Sequence, residues 1–195
     1  MPRRLALIVD NCNYRDDALP DLTVKESGSI ELARVLADPA SGNFDQVDYL
    51  ADPNRDALRE AVGRLFDFRK PYDLLLLCYA GFIWRDDDGD FFLCSAGIKV
   101  DDLPGTAVSV EFLSKWMDRS FSRRQILLLD GQLVACDGSP GDRTDLAEAL
   151  RGKGYWRSVL SVGPVLGYIW QNGRWVGDAR LGRLTDTVVQ ALESG

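Results

Sequence analysis

The chain of 195 residues contains no histidine. Histidine is the commonest general base near neutral pH and the commonest metal-binding side chain, so this chain lacks the residue that usually performs either role. A Ser-His-Asp triad or a Cys-His pair therefore cannot be assembled within this chain. Its four cysteines, Cys12, Cys78, Cys94 and Cys136, include no C-x-x-C pair, which argues against a zinc site. We expect free thiols in a reduced, cytoplasmic protein.

Long apolar runs and an excess of positive charge are also missing. No run approaches the roughly 20 apolar residues of a membrane helix, and the apolar start is too short for a signal peptide. Lys and Arg number 23 against 30 Asp and Glu, which gives a net charge of −7. The one dense basic group, Arg123 and Arg124, is too short to follow a phosphate backbone. We expect neither a nucleic-acid nor a membrane partner, and no cofactor.

What the sequence does contain is an alternation of apolar runs and helical patterns. The runs predict strands at residues 4–9, 44–52, 72–81, 124–131 and 156–162. The helical patterns lie at 24–39, 54–68, 109–120, 145–151 and 184–194. Asn54 and Ser109 are the expected N-caps of two of these helices, and Asn172-Gly173 predicts a hairpin turn. The order predicts one α/β domain over residues 1–195, which can be a module of a longer protein.

In such sheets, chemistry is found beyond the carboxyl ends of the strands. The segments to inspect are therefore residues 9–14 after the first strand, 79–82 after the third and 129–136 after the fourth. In the second of these, the small residues Ala80 and Gly81 suggest an elbow that presents Phe82.

Three of these segments resemble a prokaryotic caspase-like domain of the caspase and metacaspase clan. "LALIVDNCNY" (5–14) is similar to the opening strand of that family and its GNxNY loop. "DLLLLCYAGF" (73–82) is similar to the strand that ends in Ser-Gly-His-Gly, and "QILLLDGQ" (125–132) to the one that ends in Asp-x-Cys-x-Ser-Gly. The closing helix in 181–195 also resembles that of the family. The resemblance implies a three-layer sandwich with a mostly parallel central sheet flanked by helices.

The catalytic residues of the family do not carry over. Its histidine falls on Phe82 and its cysteine on Gln132, 50 residues further along the chain, which is close to the expected separation. Phenylalanine cannot accept a proton and glutamine is not a useful nucleophile, so the whole cysteine-peptidase mechanism is lost. The resemblance thus implies a pseudopeptidase with Phe82 filling the old cleft. What is left of that cleft is predicted at Asp10, Asn11, Cys12, Gly81, Asp130, Gly131 and Cys136.

The acidic segment between residues 85 and 90 offers a weak calcium alternative, because some metacaspase-like proteins are activated by calcium. Its candidate ligands are Asp86, Asp87, Asp88 and Asp90. The spacing differs from an EF-hand loop, whose glycine is the sixth residue. A solvated hairpin turn through Asp88 and Gly89 is the favoured interpretation, and we expect no metal.

Three functional hypotheses follow. The favoured one is a catalytically inactive caspase-like domain that binds a protein partner, in bacterial signalling or defence. The second is an enzyme with rewired chemistry that uses Cys136 as a relocated nucleophile, or an acid such as Asp130. The third is a structural module that forms homodimers through its C-terminal edge strand at 156–162 or the following hairpin.

Overall fold

A computed structural model describes residues 1–22, 28–135, 143–151, 157–161, 168–171, 174–177 and 183–194. Seven strands form the central sheet: β1 (Arg4–Asp10), β2 (Gln46–Ala51), β3 (Leu74–Arg85), β4 (Phe91–Leu93), β5 (Val108–Ser109), β6 (Arg124–Ala135) and β7 (Arg157–Ser161). Strands β8 (Tyr168–Gln171) and β9 (Arg174–Gly177) form a separate antiparallel pair. The helices are α1 (Gly28–Ala37), α2 (Arg55–Phe66), α3 (Leu103–Thr106), α4 (Val110–Arg119), α5 (Arg143–Ala149) and α6 (Arg183–Glu193).

The sheet is mostly parallel and is covered on both faces. Strands β2, β1, β3, β6 and β7 lie side by side in parallel, and the short strands β4 and β5 add an antiparallel edge to the far end of β3. Buried side chains of α2, α4 and α5 pack on one face, and those of α1 and α6 pack on the other. This arrangement confirms the predicted α/β class with a parallel sheet between helices.

The local signals at the helix ends and turns are confirmed. Asn54 Oδ1 accepts the Ala57 N–H at 2.9 Å, and Ser109 Oγ accepts the Phe112 N–H at 3.2 Å, so each caps its helix. The acidic segment forms the β3–β4 turn, in which Gly89 has a φ of +88° and its N–H donates to Asp86 O at 3.1 Å. The pairing of β8 with β9 confirms the C-terminal hairpin. Of the helices in the described ranges, none combines the length and apolar character needed to cross a bilayer.

The predicted ends of two strands are wrong. We expected strands at 72–81 and 124–131, with an elbow at Gly81, but β3 continues to Arg85 and β6 to Ala135. The reason is a close approach of two glycines, since a Cβ built on Gly131 would lie only 2.3 Å from Gly81 O. Strand pairing therefore continues without a break through the position where the elbow was expected.

Candidate functional site

The carboxyl edge of the sheet brings the predicted site residues together. Asp10 on β1, Ala80 on β3 and Asp130 on β6 are register partners in one row across three strands. Register partners in a parallel sheet direct their side chains to the same face, so the two carboxylates flank the methyl group of Ala80. Both aspartates are about 5% exposed. Gly81 and Gly131 form the next row.

Phe82 and Gln132 occupy the row after the two glycines. They are direct register partners on β3 and β6, with Phe82 buried and Gln132 half-buried. Their separation of 50 residues is the register of the entire β3–β6 ladder, which pairs Leu74 with Arg124 and Arg85 with Ala135. The separation therefore follows from strand pairing and tells nothing about the chemistry of the two side chains.

Phe82 is enclosed on all sides, with a relative exposure of 0%. Its ring lies 5.3 Å from the ring of Tyr14, measured between centroids, and packs with Leu19 and Leu22 of the loop that follows β1. On its own face of the sheet, Trp84 belongs to the same apolar cluster. Aromatic and aliphatic side chains therefore enclose the position that the family resemblance assigns to the catalytic histidine.

A buried polar network fixes the backbone around Phe82. The Tyr14 hydroxyl accepts the Phe82 N–H at 2.9 Å and donates to Asn11 O at 2.8 Å. The Tyr79 hydroxyl lies 2.8 Å from both Phe82 O and Cys94 O, and Asn11 Nδ2 donates to Cys94 O at 2.9 Å. Burial, with smaller contributions from neighbouring thiol and phenol groups, raises the pKa of both tyrosines well above the ordinary value, so both stay neutral.

Sequence reasoning did not single out Tyr14 and Tyr79. Tyr14 lies within the "NCNY" segment, which we considered only for its similarity to the opening loop of the caspase-like family. Tyr79 reads as an ordinary residue of an apolar strand. The sequence did contain one signal for Tyr79, which is a tyrosine within a continuously apolar strand. A buried phenol needs a hydrogen-bond partner, so such a residue predicts a buried polar contact.

The cysteines of the described residues are poor nucleophiles. Burial is the main cause that raises the pKa of Cys12, Cys78 and Cys94, and nearby aspartates add to it for the first two. The Cys12 thiol, 2.8 Å from Asp10 Oδ1, acts as a hydrogen-bond donor to that carboxylate. A nucleophilic cysteine needs the opposite environment, one that favours the thiolate. Cys136 lies outside the described residues.

Asp130 has a structural partner on the last helix. Its Oδ2 accepts hydrogen bonds from the backbone N–H and the hydroxyl of Thr185, both at 2.9 Å. Burial, and then the charge of Asp130, raise the pKa of the neighbouring Asp186. These bonds attach the N-terminus of α6 to the end of the β6 core, which is a sufficient reason for a buried carboxylate at this position.

The acidic turn does not gather its carboxylates around a common point. Asp86 Oδ1 accepts the Asp90 N–H at 2.8 Å, which closes the turn, while Asp87 and Asp88 are exposed. Across the described ranges, no group of three or more His, Cys, Asp or Glu side chains is arranged to hold a metal ion.

An open groove of about 680 Å³ lies beside this turn, between α4 and α5. Its acidic lining is Asp90, Glu111, Asp118, Asp145 and Glu148, and its one lysine is Lys115. Glu111, Asp118 and Asp145 form ion pairs with Lys115, Arg157 and Arg85 respectively. Asp90 and Glu148 form no ion pair with any residue of the described ranges, so within those ranges the groove carries an excess of negative charge.

The fold is that of caspases. The structure of pro-sf-caspase-1 matches with a TM-score of 0.61 at 14% sequence identity, over 100% of this chain and 73% of that one. The protein GSU0716 from Geobacter sulfurreducens matches with a TM-score of 0.63, also at 14% identity, over 100% of this chain and 83% of its own. At this identity the likeness establishes the fold alone. No protein-family model and no curated protein matched the sequence.

Proposed function

We propose that this chain is a catalytically inactive caspase-like module that works by binding a protein partner, in a bacterial signalling or defence system. The observation that carries the proposal is the fully buried Phe82 at the position that the family resemblance assigns to the catalytic histidine. Gln132 is its register partner, and the same resemblance assigns the nucleophile to that position. Neither side chain can take part in proton transfer or acyl transfer.

We infer that the described residues at this edge of the sheet supply no substitute for the missing base. The sequence has no histidine, and the carboxylates of Asp10 and Asp130 already accept hydrogen bonds from neighbouring groups. The thiols of Cys12, Cys78 and Cys94 are held neutral by their surroundings. Cysteine-peptidase chemistry needs both a thiolate and a proton acceptor beside it.

A peptidase assay with pure protein tests the inactive state. We expect no cleavage of fluorogenic peptides that carry Asp, Arg or Lys before the scissile bond, with or without added calcium. Thiol labelling at pH 8 tests the rewired alternative, in which Cys136 is the nucleophile. Slow labelling of every thiol supports the proposal, whereas one rapid, low-pKa thiol together with peptide cleavage that a Cys136→Ala change abolishes would establish an enzyme.

The acidic groove supports the protein-binding half of the proposal. An open concave surface with uncompensated carboxylates suits a partner segment that presents Lys or Arg. The test is capture of proteins from the native host by the unchanged chain and by Asp90→Lys/Glu148→Lys. We expect the same partner to be captured by the first and lost by the second, and a Phe82→Leu variant to retain it. Equal capture by all three would remove the groove from the proposal.

Homodimerisation through β7 is a second candidate function. Among the described strands, β7 pairs with β6 and with no other, and Ser158, Leu160 and Ser161 are exposed. An edge with an exposed leucine can add a strand from a second copy. Light scattering at high protein concentration tests this candidate, since a dimer that a Leu160→Lys change dissociates would support it and a monomer would reject it.

A further inference from the structure

The amino end of the sheet, opposite the site described above, carries aromatic and cationic side chains on two neighbouring loops. We call it the amino-end surface and define it by Phe68, Lys70, Tyr72, Phe121, Arg123 and Arg124. The loop before β3 and the loop before β6 are bonded together, because the Arg123 N–H donates to Pro71 O at 3.0 Å. Strand register adds Arg4, which shares a row with Leu74 and Arg124. Residues that are far apart in the sequence thus form one surface.

The aromatic side chains of this surface protrude into solvent. Phe68 is 93% exposed, and Tyr72 and Phe121 are each 74% exposed. Phe68 also has a φ of +51°, a conformation that bulky residues rarely adopt. Arg69 holds it there by donating from Nε to Leu65 O at 2.7 Å and from Nη2 to Arg64 O, which fixes the chain at the end of α2. A backbone conformation of this kind is costly and persists only where the surrounding contacts impose it.

Most cations of the surface form no direct ion pair. Lys70, Arg123 and Arg124 form none with any carboxylate of the described residues, and neither does Arg3 beside them. Burial, and then the charge of Arg3, lower the pKa of Arg69, while the charges of Asp73, Asp67 and Asp48 act in the opposite direction. Asp73 is buried, and its two carboxylate oxygens accept the N–H groups of Arg3 and Lys70 at 2.9 and 2.8 Å.

We propose that the amino-end surface docks on a lipid bilayer bearing anionic headgroups, with Phe68 and Phe121 entering the interface between headgroups and acyl chains. A bilayer offers an apolar layer beneath a negatively charged one, which matches exposed apolar rings flanked by Lys70, Arg123 and Arg124, cations without a direct ion pair. This inference is independent of the proposed function. It departs from our expectation of no membrane partner. That expectation considered only continuous apolar and basic runs in the sequence, and not surfaces that the fold assembles from separate segments.

Two other occupants fit less well. A second copy would have to offer its acidic carboxyl end to these cations. The described loops at that end, 11–22, 52–54, 86–90 and 94–102, contain no exposed large hydrophobic residue that could cover the phenylalanines. A nucleic acid would use the rings for base stacking along a basic groove. Here the exposed rings protrude from two separate loops, whereas stacking would need them aligned along one groove.

Vesicle sedimentation tests the proposal. The full chain is mixed with vesicles of phosphatidylcholine alone, or with 30 mol% phosphatidylglycerol, in about 0.1 M salt, where screening acts over about 10 Å. We expect binding to the anionic vesicles only, and weaker binding as salt is raised. Each cation near the surface contributes about a fivefold gain in affinity, so Arg123→Glu/Arg124→Glu should weaken binding at least about 30-fold. Phe68→Ser/Phe121→Ser, which leaves the charge unchanged, should weaken it about tenfold or more.

Matched controls separate local contacts from net charge and folding. Arg15→Glu/Lys99→Glu makes the same charge change on exposed residues at the acidic end and should alter binding less than threefold. Ile30→Ser removes an exposed apolar side chain at the start of α1 and should change nothing. Thermal unfolding confirms that each variant is folded. No binding to anionic vesicles, an unchanged affinity of the double phenylalanine variant, or a preference for a single-stranded oligonucleotide over vesicles would each overturn the proposal.

Discussion

At the scale of the residue, Phe82 is the most informative side chain of the molecule. It is fully buried and closes an apolar cluster between the sheet and the loop after β1. We predict that Phe82→Ala lowers the free energy of unfolding by about 3–5 kcal/mol, because a buried ring is replaced by a cavity. Urea denaturation measures the change. Phe121→Ala is the control, since its ring is exposed and its removal should cost less than about 0.5 kcal/mol.

Restoring the two residues that the family uses should not restore peptidase activity. Phe82→His/Gln132→Cys places an imidazole in an apolar enclosure beside Tyr14, where burial favours the neutral ring and no solvent reaches it. The expected result is a less stable protein without detectable cleavage of fluorogenic peptides. The single variant Phe82→His is the control, because it lacks the thiol. Cleavage by the double variant alone would instead mean that two substitutions suffice for catalysis and that the enclosure around Phe82 does not block it.

At the scale of the element, the unbroken β3–β6 ladder depends on the glycine row. A Cβ on Gly131 would lie 2.3 Å from Gly81 O, a backbone atom that cannot move aside without separating the strands. We predict that Gly131→Ala destabilises the protein by about 1–3 kcal/mol or more, measured by urea denaturation. Gly97→Ala is the matched control, because no atom lies within 4 Å of a Cβ there, and it should be neutral or slightly stabilising. Equal effects would show that the close approach carries no constraint.

The same elements show what sequence could and could not predict. Side-chain caps act within three residues, so Asn54 and Ser109 were read correctly, as was the turn at Gly89. Small residues at 80 and 81 suggested an elbow, and Gly81 does have a φ of +152°, yet strand pairing continues past it. The strand continues because Gly81 pairs with Gly131, 50 residues further along the chain, and because β4 pairs with the end of β3. Both are tertiary contacts that local pattern does not contain.

At the scale of the whole molecule, cations from separate parts of the sequence lie together at the amino end of the sheet. The net charge of −7 does not reveal this surface, nor does a search for basic runs, because these cations come from the starts of β1, β3 and β6. Parallel strands place all their starts at one end, so single basic residues add up there. A parallel topology therefore predicts such a surface once strand starts are compared with one another, and the proposed bilayer contact depends on it.

Stability should fall at alkaline pH, because the buried thiols and phenols have raised pKa values. For Cys78 and Cys94, burial is the first cause. Unfolded cysteine ionises near pH 8.5 while the folded thiol stays protonated, so their contribution is complete below that pH and declines above it. The expected loss is about 1.4 kcal/mol per pH unit for each thiol, with Tyr14 and Tyr79 adding to it above about pH 10.

Urea denaturation at pH 7, 8, 9 and 10 measures this slope, and Cys78→Ala/Cys94→Ala isolates the share of the thiols. The double variant should be less stable than the natural chain at pH 7, because two buried sulfurs are lost, but its stability should fall less steeply between pH 8.5 and 10. Parallel curves for the two proteins would mean that these thiols ionise equally in the folded and unfolded states. In that case burial would not suppress ionisation of these cysteines. The absence of histidine would then be the remaining argument against a thiol nucleophile.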